Sequence, residues 1–121
     1  MVRRKRLTLV LVCISFSSGA SFFAWQASAN DGPRETATAA REILNRRCFA
    51  CHGANGVARK NVFVLDRERL VTSKMVVPGD PTSLLLRLVE TGAMPMGGPE
   101  LPNAEKDALR KWIVNGAASW N

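Results

Sequence analysis

Histidine is nearly missing from this chain, whose 121 residues include one, His52. Cysteine is almost as scarce: Cys13 lies in an apolar leader, so the body of the protein has Cys48 and Cys51 alone. A structural zinc site takes four ligands, commonly with a second Cys or His pair, and would be left under-coordinated here. Acids are absent before Asp31, while Arg3, Arg4, Lys5 and Arg6 crowd the start. The formal charge of +7 therefore overstates the basicity of the remainder, in which thirteen basic residues face ten acidic ones, a balance of +3. Aromatics beyond the leader are limited to Phe49, Phe63, Trp112 and Trp120. No basic stripe interleaved with aromatics exists, and a nucleic-acid partner is set aside. Repeats and low-complexity runs are lacking too. At 13.2 kDa there is room for one small domain and none for a multidomain enzyme.

What is present begins with residues 1–29, which read as a signal peptide. A basic start gives way to an apolar run from Leu7 through Ile14, and Ala27-Ser28-Ala29 offers small residues for signal peptidase. Cleavage there leaves a domain of residues 30–121. The apolar stretch continues through Phe22, Phe23 and Trp25, so an uncleaved anchor through residues 7–25 is the competing reading, although Ser15, Ser17, Ser18, Gly19 and Ser21 dilute it. Lipidation at Cys13 is disfavoured by Val12, which is larger than the residue a lipobox wants before its cysteine. Each version exports the domain to an oxidising compartment, the periplasm.

Cys48-Phe49-Ala50-Cys51-His52 is C-x-x-C-H, the attachment motif of c-type haem. Two thiols add across the haem vinyl groups, and the adjacent imidazole reaches the iron from the same five residues. A thiol-exchange pair is the rival, but such pairs sit at a strand-to-helix junction, and the flanking sequence supplies no strands. A second axial ligand must be a soft donor other than histidine, which leaves methionine. Met94 in the rigid loop Met94-Pro95-Met96-Gly97-Gly98-Pro99 is the favoured distal ligand, with Met96 as competitor. Met75, within Met75-Val76-Val77, reads as core packing.

Helical spacing of Ala37, Ala40, Ile43 and Leu44 predicts a first helix over 34–47, with start signals at Asp31 and Pro33. Residues 52–56 read as a loop in which Gly53, Asn55 and Gly56 permit positive φ. The β-rich run 61–65 is expected to be irregular, since one short strand makes no sheet. A short helix over 66–71 follows, then a firmer one over 80–90, capped by Asp80 with Pro81 in its first turn and presenting Leu84, Leu85 and Leu88. A final helix starts near Asn103, buries Ala108, Leu109, Trp112 and Ile113, and stops at Gly116. The Pro78 carbonyl is a candidate acceptor for the His52 Nδ1–H, against the alternative of a plain turn. Arg46, Arg47, Arg59 and Lys60 flank the motif, where they pair with haem propionates, form a docking face, or are simply solvated.

Together these residues resemble the class I cytochrome c superfamily and, within it, the planctomycete-type cytochrome c domain. The resemblance runs from about Leu44 to Ala117. Beyond the haem motif and Gly53 it rests on Leu65-Asp66-Arg67-Glu68, Pro78-Gly79-Asp80-Pro81, Ser83-Leu84-Leu85-Leu86-Arg87, Met94-Pro95, and Leu109-Arg110-Lys111-Trp112-Ile113 before Gly116-Ala117. In that family the Met-Pro pair is commonly followed by another proline, where this chain has Met96. The resemblance implies an all-α, cytochrome c-like fold of about four helices around one covalent haem c. Within it Cys48 and Cys51 are thioether sites, His52 is proximal and Met94 distal, and the terminal helix packs across the first.

The function expected is a periplasmic one-electron carrier between redox partner proteins, not an enzyme, because no general base, nucleophile or second metal cluster is visible. It acts as a monomer or as a subunit of a complex, and meets the membrane only if the leader is retained. Two alternatives stand beside it: a five-coordinate haem protein whose open iron binds a small ligand or peroxide, and a fixed haem subunit of a larger oxidoreductase.

Overall fold

The computed structural model describes residues 32–58 and 63–120, which form five helices and no strand. The signal segment, Arg59, Lys60 and the first half of the β-rich run lie outside the described residues. What is described is all-α, as expected. Among these residues no helix is long and apolar enough to cross a membrane.

The first helix, α1 (Pro33–Arg47), begins where Pro33 occupies a position with no amide bond to lose. Glu35 reaches back to accept from the Gly32 N–H at 3.1 Å. Its Ala37, Ala40, Ile43 and Leu44 are all buried, as the spacing predicts. After Cys48 the chain turns into a single-turn helix, α2 (Phe49–His52), not anticipated from the sequence. Asp66 then caps α3 (Arg67–Thr72), its Oδ1 accepting from the Arg69 N–H at 3.0 Å.

The next helix is shorter than expected: α4 spans Leu84–Glu90 and does not begin at Asp80. The Asp80 carboxylate is consumed by its own turn, where Oδ1 accepts from the Thr82 N–H and hydroxyl, both at 2.7 Å. Ser83, nearly fully buried, ties the turn down by accepting from the Val77 N–H at 2.9 Å and donating to the Asp80 carbonyl at 2.8 Å. The late start turns Leu84 outward while Leu85, Leu86 and Val89 are buried.

The last helix, α5 (Asn103–Val114), buries Leu109, Trp112 and Ile113, packs across α1 and also meets α4. It closes with a Schellman arrangement: Gly116 at φ 97°, its N–H donating to Ile113 at 3.0 Å, and the Ala117 N–H donating to Trp112 at 2.8 Å. The tail folds back over the core. Trp112 Nε1 donates to the Ala118 carbonyl at 2.9 Å, the Trp120 ring lies 5.2 Å from that of Trp112, and Trp120 Nε1 donates to the Leu65 carbonyl at 3.2 Å. Arg67 Nε adds a bond to the Ala117 carbonyl at 2.8 Å. Trp112 is thus wholly in the core, as expected.

Candidate functional site

A largely apolar cavity of about 310 Å³ opens between the end of α1, the α2 turn, α4 and the loop at 94–96. Its size falls within the range of small-molecule sites, roughly 300–1,000 Å³. Cys48, Cys51, His52, Met94 and Met96 all line it. The motif residues come together locally, because the Cys48 carbonyl accepts from the His52 N–H at 2.9 Å and so winds the five residues into one helical turn. Met94 arrives from far along the chain, anchored where its N–H donates to the Leu88 carbonyl at 3.0 Å. Leu85, Leu88 and Val89 of α4 form an apolar wall, and Met75 joins them while also packing against the core.

The two loop methionines differ sharply in setting: Met94 is half-buried, while Met96 at the rim is 81% exposed. Cys48 and Cys51 are free thiols. Burial pushes the Cys48 thiol above its ordinary pKa, with smaller contributions from Cys51 and Glu105, so it stays protonated at neutral pH.

Glycines at 53 and 56 serve a purpose other than the expected one. Positive φ is found at Gly79, Gly92, Gly97 and Gly116 but at neither of these, and Gly53 has φ −88°. They are needed for close approach: a Cβ on Gly53 would meet the Phe49 carbonyl at 2.6 Å, and one on Gly56 would overlap the Cys51 carbonyl.

His52 Nδ1 is buried, with no hydrogen-bond partner among the described residues. The Pro78 carbonyl is therefore not its acceptor. Pro78 is exposed, and its turn is held elsewhere, through a Gly79 N–H donated to the Ile113 carbonyl at 2.8 Å.

Arg46 and Arg47 are neither free nor simply solvated. Glu105, in the first turn of α5, accepts from Arg46 at 2.9 Å and from Arg47 Nε and a terminal nitrogen at 2.8 and 3.0 Å. Arg47 beside it holds the Glu105 carboxyl below the usual range, with Arg46 adding to the effect. Arg47 also lines the cavity. Glu105 is a residue that sequence reasoning missed, whereas Met75 packs against the core as expected and lines the cavity in addition. Glu105 gave no local signal, since its partners lie 58 and 59 positions away.

Among the described residues no three His, Cys, Asp or Glu side chains gather into a metal-binding cluster. The two thiols and the imidazole, though wound into one helical turn, form no such cluster, and each lines the cavity. Comparison of the chain with protein-family models, curated proteins and solved structures finds no match in any of the three.

Proposed function

We propose that this protein is a periplasmic monohaem cytochrome of the planctomycete-type class I group, carrying single electrons between partner proteins. In this reading Cys48 and Cys51 are the thioether sites, His52 the proximal ligand and Met94 the distal one. The observation that carries it is the convergence of both thiols, the sole imidazole and a half-buried thioether from a distant loop on one apolar cavity.

The residues fit the group. Two thiols and an imidazole that line the cavity without gathering into a metal-binding cluster suit a broad flat ligand with two vinyl arms better than a bare cation, which wants its donors gathered at a point. When bound, haem c supplies a one-electron iron couple, and thioether ligation favours its ferrous state.

The chain's own residues do the rest. Cys48 and Cys51 tether, the α2 turn presents His52, and the Leu88 carbonyl holds the Met94 backbone in place. Leu85, Leu88, Val89 and Met75 exclude water along one side. Val57 and Met96, both strongly exposed, mark where the cavity meets solvent and a partner protein gains access. Among the described lining residues Arg47 alone carries a permanent charge, so the wall they form offers insulation and positioning.

The test is export of the full chain in a host with cytochrome c maturation machinery, followed by oxidised and reduced absorption spectra and haem staining after denaturation. Covalent, low-spin haem with a His/Met spectrum is the expected result. Covalent but high-spin haem would replace the carrier with an open-iron ligand binder, and no covalent haem would return Cys48 and Cys51 to a thiol pair.

A further inference from the structure

The cavity wall carries a charge arrangement that neither the haem motif nor the methionine loop requires. Among the described lining residues Arg47 alone bears a permanent charge, and that charge is not left bare. Both oxygens of Glu105 are turned onto Arg46 and Arg47. The carboxylate is well shielded, its side chain 16% exposed, whereas Arg47 and Arg46 are 30% and 54% exposed. Two guanidiniums and one carboxylate leave the cluster at +1, and without Glu105 it would stand at +2. Because the arginines are partly exposed, water screens part of this charge, and the cavity interior senses the remainder through the apolar wall.

Reduction of an iron porphyrin removes one positive charge, so neighbouring cations favour the reduced state and neighbouring anions the oxidised one. We propose that Glu105 tunes the reduction potential of the group held in this cavity, lowering it by offsetting the positive charge that Arg46 and Arg47 bring to the wall. The inference rests on the haem reading above and extends it to a residue that touches neither the motif nor the methionine loop. Glu105 acts through Arg47 and the field the pair projects, and its place in the first turn of α5 suits an anion, because the helix amides there favour negative charge.

A helix clamp with no electrostatic role would make different predictions, and the sign of the effect separates the two. The experiment is a redox titration of the haem-loaded full chain against a reference couple, for wild type, Glu105→Gln, Arg47→Gln and the double variant. Glu105→Gln raises the potential by at least about threefold in the equilibrium constant, which at 59 mV per tenfold for one electron is about 28 mV. Arg47→Gln lowers it, and the double variant returns toward wild type. Raised ionic strength shrinks both shifts, since the arginines are partly exposed.

If Glu105→Gln does not accumulate, Arg46→Gln reads the same field from its exposed end and lowers the potential by a smaller amount. Single variants that move the potential in the same direction, or leave it unmoved with haem attached, overturn the inference alone. Absence of covalent haem from the wild-type chain overturns it together with the reading on which it rests.

Discussion

Met94 and Met96 stand two positions apart, line the same cavity and differ in how far solvent reaches them. On the haem reading, a methionine that is 81% exposed competes poorly for a buried position, so Met94→Ala is expected to abolish the thioether-ligand signature of the oxidised spectrum while Met96→Ala preserves it. The opposite pattern would reassign the ligand. Cys51→Ala should leave one thioether bond in place of two, read as a change in attached haem and in the reduced spectrum, because only Cys48 then remains to meet a vinyl group. Gly56 tests the packing around the motif. A Cβ there overlaps the Cys51 backbone, which cannot rotate aside as a side chain would, so Gly56→Ala should cost about 1–3 kcal/mol in a urea titration. At this scale the sequence was informative where chemistry is local. Two thiols and an imidazole within five residues announce themselves, whereas the reason for Gly53 and Gly56 is a steric contact that no propensity encodes, and the acceptor proposed in Pro78 turned on a tertiary approach that does not occur.

Helices α1 and α5 form the frame that carries the cavity, and Trp112 is the largest side chain buried between them and the tail. Its indole N–H is satisfied by Ala118 and its face is covered by Trp120. Trp112→Ala should therefore cost about 3–5 kcal/mol in thermal or chemical unfolding, through lost contact and an unfilled volume. The frame was readable in advance, because apolar residues at helical spacing on α1 and a glycine stop on α5 need no tertiary information. The start of α4 was not. Asp80 followed by Pro81 is a good cap signal, but Thr82 supplies an amide and a hydroxyl two residues on, and that local turn captures the carboxylate first. The consequence reaches the site, since a helix starting at Leu84 points Leu85, Leu88 and Val89 at the cavity and Leu84 at solvent.

Across the whole molecule, the contacts that join distant segments were the least legible. Glu105 bridges to α1 and Trp120 bridges to Leu65, and neither pairing leaves a periodic trace in the chain. The Glu105 bridge gives the fold a pH dependence of definite sign. Its carboxyl titrates below the ordinary glutamate range in the folded protein, so the stability it contributes is complete above the unfolded value and is lost as pH falls through the depressed folded one. Melting temperature should accordingly drop on acidification through and below the usual carboxylate range. Glu105→Gln should lower it at neutral pH and flatten that acid limb, and an unchanged acid limb in the variant would assign the dependence to other carboxylates. The all-helical architecture could be anticipated from patterning. The way its ends lock together could not, because it depends on which segments meet.

The packing of α5 and its tail across α1 also sets an order of events during biosynthesis. Cys48 and Cys51 emerge with the first half of the chain, while the helix and tail that complete the frame emerge last. Contacts spanning such separations form late, because the intervening chain must first be brought round. Until α5 arrives, the helix that leads into the motif is without its main packing partner. Once it docks, Glu105 engages the arginine beside Cys48 and the half-finished chain becomes a closed one. The contact between α1 and α5 thus makes closure of the segment that carries the motif a late event in folding.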